Sequence, residues 1–238
     1  MKTYGVEITW LGHAAFRMRS AGKTFYFDPF LTPNPKCPDA EKQPAAADVI
    51  LLSHGHMDHI SDAVPLAKRT GAQVVAIVEL GMYLAKQGVP QGQIVAMNKG
   101  GTIEQAGARI SMVQALHTSS AEQDGVPLYL GEPAGYVVQF QEGLRVYFAG
   151  DTAVFGDMRL IGEIYRPRLA CLPIGDFYTM GPLEAAYACR LLGIEAVIPM
   201  HFGTFPVLTG TPAELRRYLA EAGTPCEVLE LQPGASLR

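Results

Sequence analysis

The sequence predicts an α/β fold in which two mixed β-sheets pack face to face between outer helices, a four-layer αββα sandwich. Short strand-like segments, separated by Gly or polar turns, pass into alternating strands and helices, and this whole pattern then occurs a second time. Apolar residues make up 48% of the chain and charged residues only 18%, so a substantial core can be buried. Two similar halves, each a sheet covered by helices, would share that core.

The first half opens with a β-meander and continues as alternating strands and helices. A Pro-rich stretch at 29–47 predicts an ordered surface loop. The continuous apolar run at 47–54 predicts a fully buried strand, because a strand covered on both faces shows no alternation. Gly71 and Gly88 end two helix-like segments and predict helix C-termini. The predicted strands are 6–12, 14–20, 23–30, 47–54 and 72–78, and the predicted helices are 62–71 and 79–88.

The second half repeats this order. A polar loop is predicted at 118–133, between two strands. Thr211 as N-cap, Pro212 at the first helical position and Glu214 as the capping-box partner predict the start of the last helix. No linker divides the chain, so we expect a single domain over residues 1–238. The predicted strands are 101–107, 108–117, 134–140, 144–151, 168–176, 195–203 and 226–231, and the predicted helices are 155–165, 181–193 and 211–223.

Charge and cysteine content limit the classes of function. The formal net charge is −4 and no Lys/Arg cluster offers a phosphate-binding stripe, which argues against a general nucleic-acid binder. No apolar run approaches the roughly 18 residues that span a bilayer, and the first residues lack the apolar stretch of a signal peptide. Four scattered cysteines predict buried free thiols in a reducing cytoplasm. We expect a cytoplasmic protein with a small-molecule substrate and neither nucleic-acid nor membrane partners, and a homo-oligomer stays open.

The segment LLSHGHMDHISD, residues 51–62, holds three of the six histidines of the chain. His54 and His56 should project together as the strand ends, because alternate residues of an extended segment share a face. Asp58 and His59 follow where the chain turns into the next helix. Imidazole and carboxylate are natural ligands for Zn²⁺, Mn²⁺ and Fe²⁺. Four such residues exceed one tetrahedral site that keeps an open position, so the spacing favours two metals over a His-rich surface turn.

Three further ligand-type residues follow apolar strands elsewhere in the chain. His117, Asp151 and His201 each stand where a hydrophobic strand gives way to a small or polar turn, so all three could converge on one edge of the sandwich. Each has a structural alternative when taken alone, since a strand-end Asp often serves a turn and a lone His is often structural. With the H-x-H-x-D-H motif already present, their joint occurrence favours a metal site.

These motifs resemble those of the metallo-β-lactamase superfamily. The sequence is most similar to the small stand-alone branch of metal-dependent hydrolases related to L-ascorbate-6-phosphate lactonases, and the resemblance covers essentially the whole chain. H-x-H-x-D-H in this order is strongly specific for the superfamily, whereas AGDTAVFGDM, PIGDFYTMGPLEAA and HFGTFPVLTGTP indicate the branch. The resemblance implies the αββα fold and a hydrolytic activity that depends on two divalent metals.

The resemblance also implies a ligand set of two metal sites joined by one bridging residue. Asp28 matches the acid that follows an early strand and supports the histidine loop by hydrogen bonding. Met57 stands where this branch often has Gly. Gly203 stands where a polar residue such as Asn is expected, so whether position 203 touches substrate stays open. The implied ligands are His54, His56 and His117 for the first metal, Asp58, His59 and His201 for the second, and Asp151 as the bridge.

The charges of such a site predict its chemistry. Two divalent metals bring about +4, and Asp58, Asp151 and a bridging hydroxide bring about −3, which lowers the pKa of bound water from about 16 towards about 7. We therefore expect a bridging hydroxide to attack the carbonyl or phosphorus of an ester-type bond, as in a phosphodiester, lactone or thioester, in a small, anionic substrate. Asp58 would orient the nucleophile and carry its proton. Zn²⁺ is the expected metal, with Mn²⁺ and Fe²⁺ as alternatives.

Several residues outside the ligand set keep two interpretations. His13, in LGHAAF, is either a catalytic residue that supports a ligand or touches the leaving group, or a satisfied structural histidine. Asp176 is either an acceptor for a ligand imidazole or a residue of the turn that leads into a helix. Four aromatic residues flank the ligand loops and either wall the pocket or pack in the core, namely Phe177, Tyr178, Phe202 and Phe205.

A non-catalytic metal-binding or sensor protein on the same fold is the alternative function. The intact ligand set argues against it, because a sensor need not keep an open dinuclear site. Within the superfamily, nucleic-acid-processing members carry a large inserted domain, flavin-linked di-iron oxidoreductases carry Glu where this chain has His56, and glyoxalase II adds a C-terminal helical domain for which the residues after His201 leave no room. Persulfide dioxygenases, which use one iron, stay open.

Overall fold

The structure, a computed structural model, describes residues 2–238. The strands are β1 (Glu7–Trp10), β2 (Phe16–Ser20), β3 (Lys23–Phe27), β4 (Val49–Leu51), β5 (Gln73–Ile77), β6 (Ile94–Met97), β7 (Thr102–Gln105), β8 (Ala108–Gln114), β9 (Ser120–Gln123), β10 (Val126–Tyr129), β11 (Ala134–Gln139), β12 (Arg145–Phe148), β13 (Leu169–Pro173), β14 (Ala196–Met200), β15 (Glu227–Val228) and β16 (Ser236–Leu237). The α-helices are α1 (Met57–Ile60), α2 (Ala63–Thr70), α3 (Val78–Lys86), α4 (Met158–Tyr165), α5 (Pro182–Leu192) and α6 (Pro212–Glu221).

The strands form two seven-stranded mixed sheets and one small hairpin. The first sheet has the order β16-β1-β2-β3-β4-β5-β6, antiparallel from β16 to β3 and parallel from β3 to β6. The second has the order β15-β14-β13-β12-β11-β8-β7, parallel from β15 to β12 and antiparallel from there to β7. The parallel part of each sheet is the part that alternates with helices along the chain, as crossover connections require.

Aromatic side chains from the facing sheets meet in the middle of the molecule. The ring of Phe148 in the second sheet lies 5.1 Å from that of Phe27 and 6.1 Å from that of Phe16 in the first. Burying each such side chain contributes roughly 1.5–3 kcal/mol. Helices α2 and α3 contact the first sheet, and α5 and α6 contact the second. The predicted four-layer αββα sandwich of two mixed sheets is therefore confirmed.

Local sequence signals place several helix ends as predicted. Gly71 ends α2 in the left-handed conformation (φ 76°) that glycine adopts without strain. At the start of α6, Thr211 Oγ1 accepts a hydrogen bond from the Glu214 main-chain N–H at 3.3 Å, and Glu214 Oε2 accepts one from the Thr211 N–H at 3.0 Å. This is the predicted capping box. Across residues 2–238, the helices lack the length and apolarity that crossing a membrane would require.

The structure departs from the predicted elements mainly at the edges of the sheets. The predicted polar loop 118–133 contains the hairpin β9–β10, in which every residue of β10 is exposed, so no alternation marks it. The strand β6 was not predicted, although it extends the parallel part of the first sheet. The predicted strand 226–231 is reduced to β15. These elements are short or exposed, and their sequences carry little of the burial pattern that identifies a strand.

The C-terminal strand β16 returns to the first sheet, which no sequence signal predicted. It pairs antiparallel with β1, with Ile8 opposite Leu237 and Thr9 opposite Ser236. The Thr9 and Ser236 hydroxyls lie 2.8 Å apart and share a hydrogen bond. The first sheet therefore contains residues from both ends of the chain.

One close backbone approach holds the end of β14 against the end of β13. A Cβ atom on Gly175 would lie 2.0 Å from the His201 carbonyl oxygen, a distance that requires the backbone to move. We expect Gly175→Ala to destabilise the protein by about 3 kcal/mol or more, because overpacking against a main-chain atom cannot be relieved by a rotamer change. Thermal unfolding would measure the loss. Gly92→Ala, with nothing within 4 Å of the added Cβ, is the matched control, and an equal melting temperature for both variants would contradict the prediction.

Candidate metal centre

The ligand-type residues predicted from the sequence come together at one edge of the sandwich. The C-terminal ends of β3, β4, β8, β12 and β14 carry them, and the turn between β1 and β2 adds His13. Strand ends lie at the same edge because the parallel strands run in one direction. The residues that the structure brings together there are His13, Asp28, His54, His56, Asp58, His59, His117, Asp151 and His201.

Asp28 anchors the histidine segment from below. Its carboxylate is fully buried and accepts hydrogen bonds from the Ser53 main-chain N–H at 2.7 Å, from the Ser53 hydroxyl and from His59 Nδ1 at 2.7 Å. Ser53 Oγ in turn lies 2.8 Å from His54 Nδ1. These bonds turn the Nε2 atoms of His54 and His59 towards the cluster, where His54 Nε2 lies 3.0 Å from His56 Nδ1. The expected role of Asp28 in supporting the histidine loop agrees with this geometry.

The first donor group consists of His54, His56 and His117. One ring nitrogen from each lies within 4.8 Å of the others. The ring of His117 is 5.1 Å from each of the other two rings, and nearly perpendicular to both. Burial lowers the pKa of all three imidazoles. They are therefore neutral at pH 7, which is the form of histidine that binds metals.

The second donor group consists of Asp58, His59 and His201, with His13 beside them. One ligand-type atom from each of these four residues lies within 4.8 Å of the others. Asp58 and His59 are consecutive residues of the short helix α1, which begins at Met57. His201 directly follows β14 in a left-handed conformation with φ 55°, which is uncommon for a residue other than glycine.

Asp151 lies between the two donor groups. Its Oδ2 atom is 3.0 Å from His201 Nε2 and 3.3 Å from His59 Nε2 on one side, and 3.7 Å from His117 Nε2 and 4.0 Å from His54 Nε2 on the other. The short contacts with His201 and His59 lack hydrogen-bond geometry, so both imidazole Nε2 atoms are buried without a hydrogen-bond partner. Asp151 Oδ1 is also unpartnered.

Buried polar atoms without partners are costly, and four of the nine found among residues 2–238 belong to Asp151, His59 and His201. Asp151 Oδ2 approaches His201 Nε2 and His59 Nε2 to 3.0 and 3.3 Å without hydrogen-bond geometry, as donors around a common centre would. The electrostatics agree. Burial opposes ionisation of Asp151, but the charges of His201 and His59 outweigh it and hold the pKa of the carboxyl well below its usual range. Burial likewise opposes protonation of His59, but Asp151, Asp28 and Asp58 raise its pKa well above the usual value. The carboxylates thus collect positive charge, and the donor set fits divalent metal ions.

His13 is held rigidly between Asp58 and a hydroxyl. Its buried ring lies 3.1 Å from Asp58 Oδ2 through Nε2 and 3.0 Å from Thr204 Oγ1 through Nδ1. Burial, followed by the charge of His201, lowers the pKa of His13 to about 4. A neutral ring satisfies both bonds if Nε2–H donates to Asp58 and the Thr204 hydroxyl donates to Nδ1.

The backbone at His13 also joins the two sheets. His13 has φ 56°, and its carbonyl accepts hydrogen bonds from Trp10 Nε1 and from the His201 main-chain N–H, both at 2.9 Å. Trp10 stacks on Phe202 at 5.3 Å between ring centroids. Phe202 therefore packs beneath the site, in the core-packing role that its sequence position left open.

Asp176 belongs to a turn. Its carboxylate accepts a hydrogen bond from the Phe177 main-chain N–H at 2.7 Å, and its main-chain carbonyl accepts one from the Tyr178 N–H. This pattern favours the turn interpretation over a bond to a ligand imidazole. Tyr178 and Phe205 border the cavity over the metal donors. They take the pocket-wall interpretation.

Several small polar residues that position the site were not predicted. Ser53 and Thr204 support His54 and His13, as described above. Ser119 Oγ accepts a hydrogen bond from the Gly55 main-chain N–H, and Thr152 Oγ1 accepts one from the Leu116 N–H next to His117. Each stands one to three residues from a ligand-type residue, and that adjacency is the one signal the sequence offers for them.

A cavity of about 500 Å³ opens over the two donor groups. It falls in the range that binds small molecules. Its lining residues are His56, Asp58, His117, Thr118, Asp151, Tyr178, His201, Phe205 and Val207.

Comparison with known proteins identifies the family. Residues 23–202 match the family described as Beta-lactamase superfamily domain. A UPF0173 metal-dependent hydrolase from Rubrobacter xylanophilus is 50% identical over 235 residues, which is 98% of this chain and 96% of the relative. A relative of the same name from Methanopyrus kandleri is 48% identical, covering 97% of this chain and 99% of the relative. The solved structure of Igni18, a metallo hydrolase from Ignicoccus hospitalis, superposes with a TM-score of 0.84 at 35% identity, covering 98% of this chain and 97% of that one.

The matched region contains all of the clustered donors except His13, and the high coverage shows that the relatives share the whole architecture. The resemblance drawn from the sequence motifs is confirmed. This chain belongs to the metallo-β-lactamase superfamily, within the family of UPF0173 metal-dependent hydrolases.

Proposed function

We propose that this protein is a dinuclear metal-dependent hydrolase that cleaves an ester-type bond, as in a phosphodiester, lactone or thioester, in a small substrate. The observation that carries the proposal is the position of Asp151, whose Oδ2 atom approaches both donor groups without hydrogen-bond geometry at its shortest contacts. The first metal would be held by one group, the second by the other, and Asp151 would bridge. The ligands are His54, His56 and His117, then Asp58, His59 and His201.

The donor set limits the metal. Imidazole and carboxylate without thiolate suit Zn²⁺, Mn²⁺ and Fe²⁺, and we propose Zn²⁺ as the resident ion. Two bound divalent ions supply a hydroxide nucleophile at neutral pH and polarise the scissile bond.

Asp58 and His13 supply the proton chemistry. Burial opposes ionisation of Asp58, but the charge of His59 and the hydrogen bond from His13 hold its pKa below the usual range, so the group is an ionised carboxylate at neutral pH and can orient the nucleophile. His13 Nε2 fixes Oδ2, which leaves Oδ1, 3.9 Å from His59 Nε2, towards the metal donors. In hydrolysis the water oxygen bonds to the carbonyl carbon or phosphorus, the ester bond breaks, and the leaving group takes the proton that Asp58 has held.

The cellular setting belongs to the same proposal. The cysteines Cys37, Cys171, Cys189 and Cys226 are free thiols, which suits a reducing cytoplasm. Among the described residues, no lysine or arginine lines the cavity, and such a lining suits a small molecule better than a nucleic acid. Light scattering would decide whether the protein is a homo-oligomer.

Metal content is the direct test. Protein stripped with a chelator and reconstituted with Zn²⁺, Mn²⁺ or Fe²⁺ is expected to bind close to two ions per chain, because two separate donor groups are present. His201→Ala should reduce the content towards one, since it removes a ligand of the second group only. Elemental analysis would count the ions, and the fluorescence of Trp10, the one tryptophan, would follow loading next to the site.

Asp62→Asn is the matched control. The Asp62 carboxylate accepts hydrogen bonds from the Leu31 and Thr32 main-chain N–H groups and belongs to neither donor group, so this variant should still bind two ions. A content of one ion that His201→Ala leaves unchanged would refute the dinuclear assignment. Activity on panels of phosphodiesters, lactones and thioesters then separates a hydrolase from a metal-binding sensor.

A further inference from the structure

The cavity over the donor groups has two chemically different sides. Its floor carries the clustered imidazole and carboxylate groups, whereas Tyr178, Phe205 and Val207 form an apolar wall. A neighbouring cavity of about 420 Å³ is also lined by His117 and Thr118.

Unpaired charge in the two cavities lies among the donor residues of the floor. Within residues 2–238, the linings of the two cavities contain no lysine or arginine. The one carboxylate on their walls away from the donors is Glu132, which pairs with Lys99 at 2.6 Å. A substrate group that carries negative charge away from the reacting bond would meet no unpaired cation on these walls, because Lys99 is already neutralised by Glu132.

The turn that holds Tyr178 is strained and exposes its aromatic residues. Asp176 and Phe177 both have positive φ, 64° and 60°, which costs of order 1–3 kcal/mol for each non-glycine residue. Phe177 and Tyr178 are nevertheless 67% and 59% exposed, and their rings contact each other edge to face at 4.7 Å. A strained turn that exposes two aromatic rings beside the donor groups gains little stability from burying them. Such a turn is typical of a ligand-binding element.

Phe205 faces the same space from the opposite loop. Its ring stands edge to face with His13, with centroids 5.5 Å apart, and it remains 37% exposed. Packing against the buried His13 fixes the inner edge of the ring, so the exposed part is presented to the cavity in a defined orientation. Tyr178 and Phe205 thus offer aromatic surface above the donors.

We propose that the substrate of this site carries an uncharged aromatic group, which lies against Tyr178 and Phe205, and that its negative charge is confined to the group that reacts at the metals. This inference rests on the proposed function, since it assigns the part of the substrate that does not react. It narrows the anionic substrate expected from the sequence, because that expectation followed from the metal charge alone.

Three hydroxamic acids that share the same metal-binding hydroxamate group test separately whether the site binds an aromatic ring and whether it rejects a distant negative charge. Acetohydroxamate carries the head alone, benzohydroxamate adds an aromatic ring, and 4-carboxybenzohydroxamate adds a distant charge to that ring. With metal-reconstituted protein, calorimetry should show benzohydroxamate binding about 10-fold more tightly than acetohydroxamate, because the ring buries aromatic surface on the wall. The 4-carboxylate should remove most of that gain.

Substitutions of the apolar wall residues test whether they cause the tighter binding of benzohydroxamate. Phe205→Ala and Tyr178→Ala should each weaken benzohydroxamate about 3- to 10-fold and leave acetohydroxamate unchanged. Tyr187→Ala is the matched control, because this exposed tyrosine of α5 lines a different cavity and should alter neither ligand. Melting temperatures would check that each variant is folded.

The outcomes distinguish this inference from the function beneath it. Metal-dependent binding of acetohydroxamate with no gain from the ring, or tighter binding of the carboxylated ring, overturns the aromatic-group proposal alone. Failure of all three compounds to bind, or binding that persists in metal-stripped protein, overturns the metal-centre proposal together with it.

Discussion

Asp58→Asn is expected to lower turnover by about 10³-fold or more while leaving the fold intact. The substitution removes the charge of a proposed metal ligand and the acceptor of the nucleophile's proton in one step, and these are contributions of the kind that each account for 10²–10⁴-fold in other hydrolytic sites. The fold should survive because the Asp58 side chain is partly exposed and its hydrogen bond goes to His13. Steady-state kinetics on the best substrate of an ester panel would measure the loss, with circular dichroism as the check on folding.

Asp62→Asn gives the opposite pattern and serves as the control. Asp62 stands four residues further on, and its carboxylate accepts main-chain hydrogen bonds from Leu31 at 2.8 Å and Thr32 at 3.0 Å. Losing part of this network should reduce the free energy of unfolding by about 1–3 kcal/mol and leave turnover close to wild type. An Asp58→Asn enzyme within a few-fold of wild-type turnover would remove Asp58 from the mechanism.

His13→Ala is expected to lower turnover by about 10²-fold while metal content stays at the wild-type value. The substitution removes the hydrogen bond that orients Asp58 Oδ2, and it leaves a gap between the rings of His201 and Phe205. A lost orienting contact of a general base has this scale. Elemental analysis, melting and kinetics on the same variant would report the three consequences separately.

Each alternative role of His13 gives a different result. A purely structural residue would change melting by the roughly 1–3 kcal/mol of a lost buried hydrogen bond and leave turnover alone. A fall in metal content would make His13 a ligand of the second donor group, and the seven-ligand assignment would be wrong. Thr204→Val refines the test, because it removes the hydroxyl that holds His13 Nδ1 and keeps the ring. A turnover loss of about 10-fold with a shifted pH profile would support positioning through Thr204.

The clustering of the donor residues could be predicted from the sequence because four of them follow apolar strands. An apolar run that ends in His or Asp indicates both a strand and its exit, and parallel strands bring their exits to one edge. His54, His117, Asp151 and His201 share this signature. The signal is local, and the convergence follows from the general geometry of mixed sheets.

The rest of the site could not be predicted, because it depends on contacts between distant segments. Thr204 and His13 are hydrogen-bonded although they lie 191 residues apart in the chain, and neither local sequence predicts this contact. The turn at Asp176 illustrates the same limit. Two successive non-glycine residues with positive φ contradict local propensity, so pattern reasoning assigns no such conformation.

The antiparallel pairing of β16 with β1 has a consequence for the order of events during synthesis. Residues 8 and 237 are partners, so one side of β1 stays unpaired until residue 237 has been synthesised. A nascent chain already displays His54, His56 and His59 long before His201 is made. In such a chain the proposed metal site lacks part of its ligands. We expect stable metal binding only after His201 has been synthesised, since a partial donor set binds transition metals weakly. Because so many contacts join distant segments, folding should be slow compared with helical proteins of similar length.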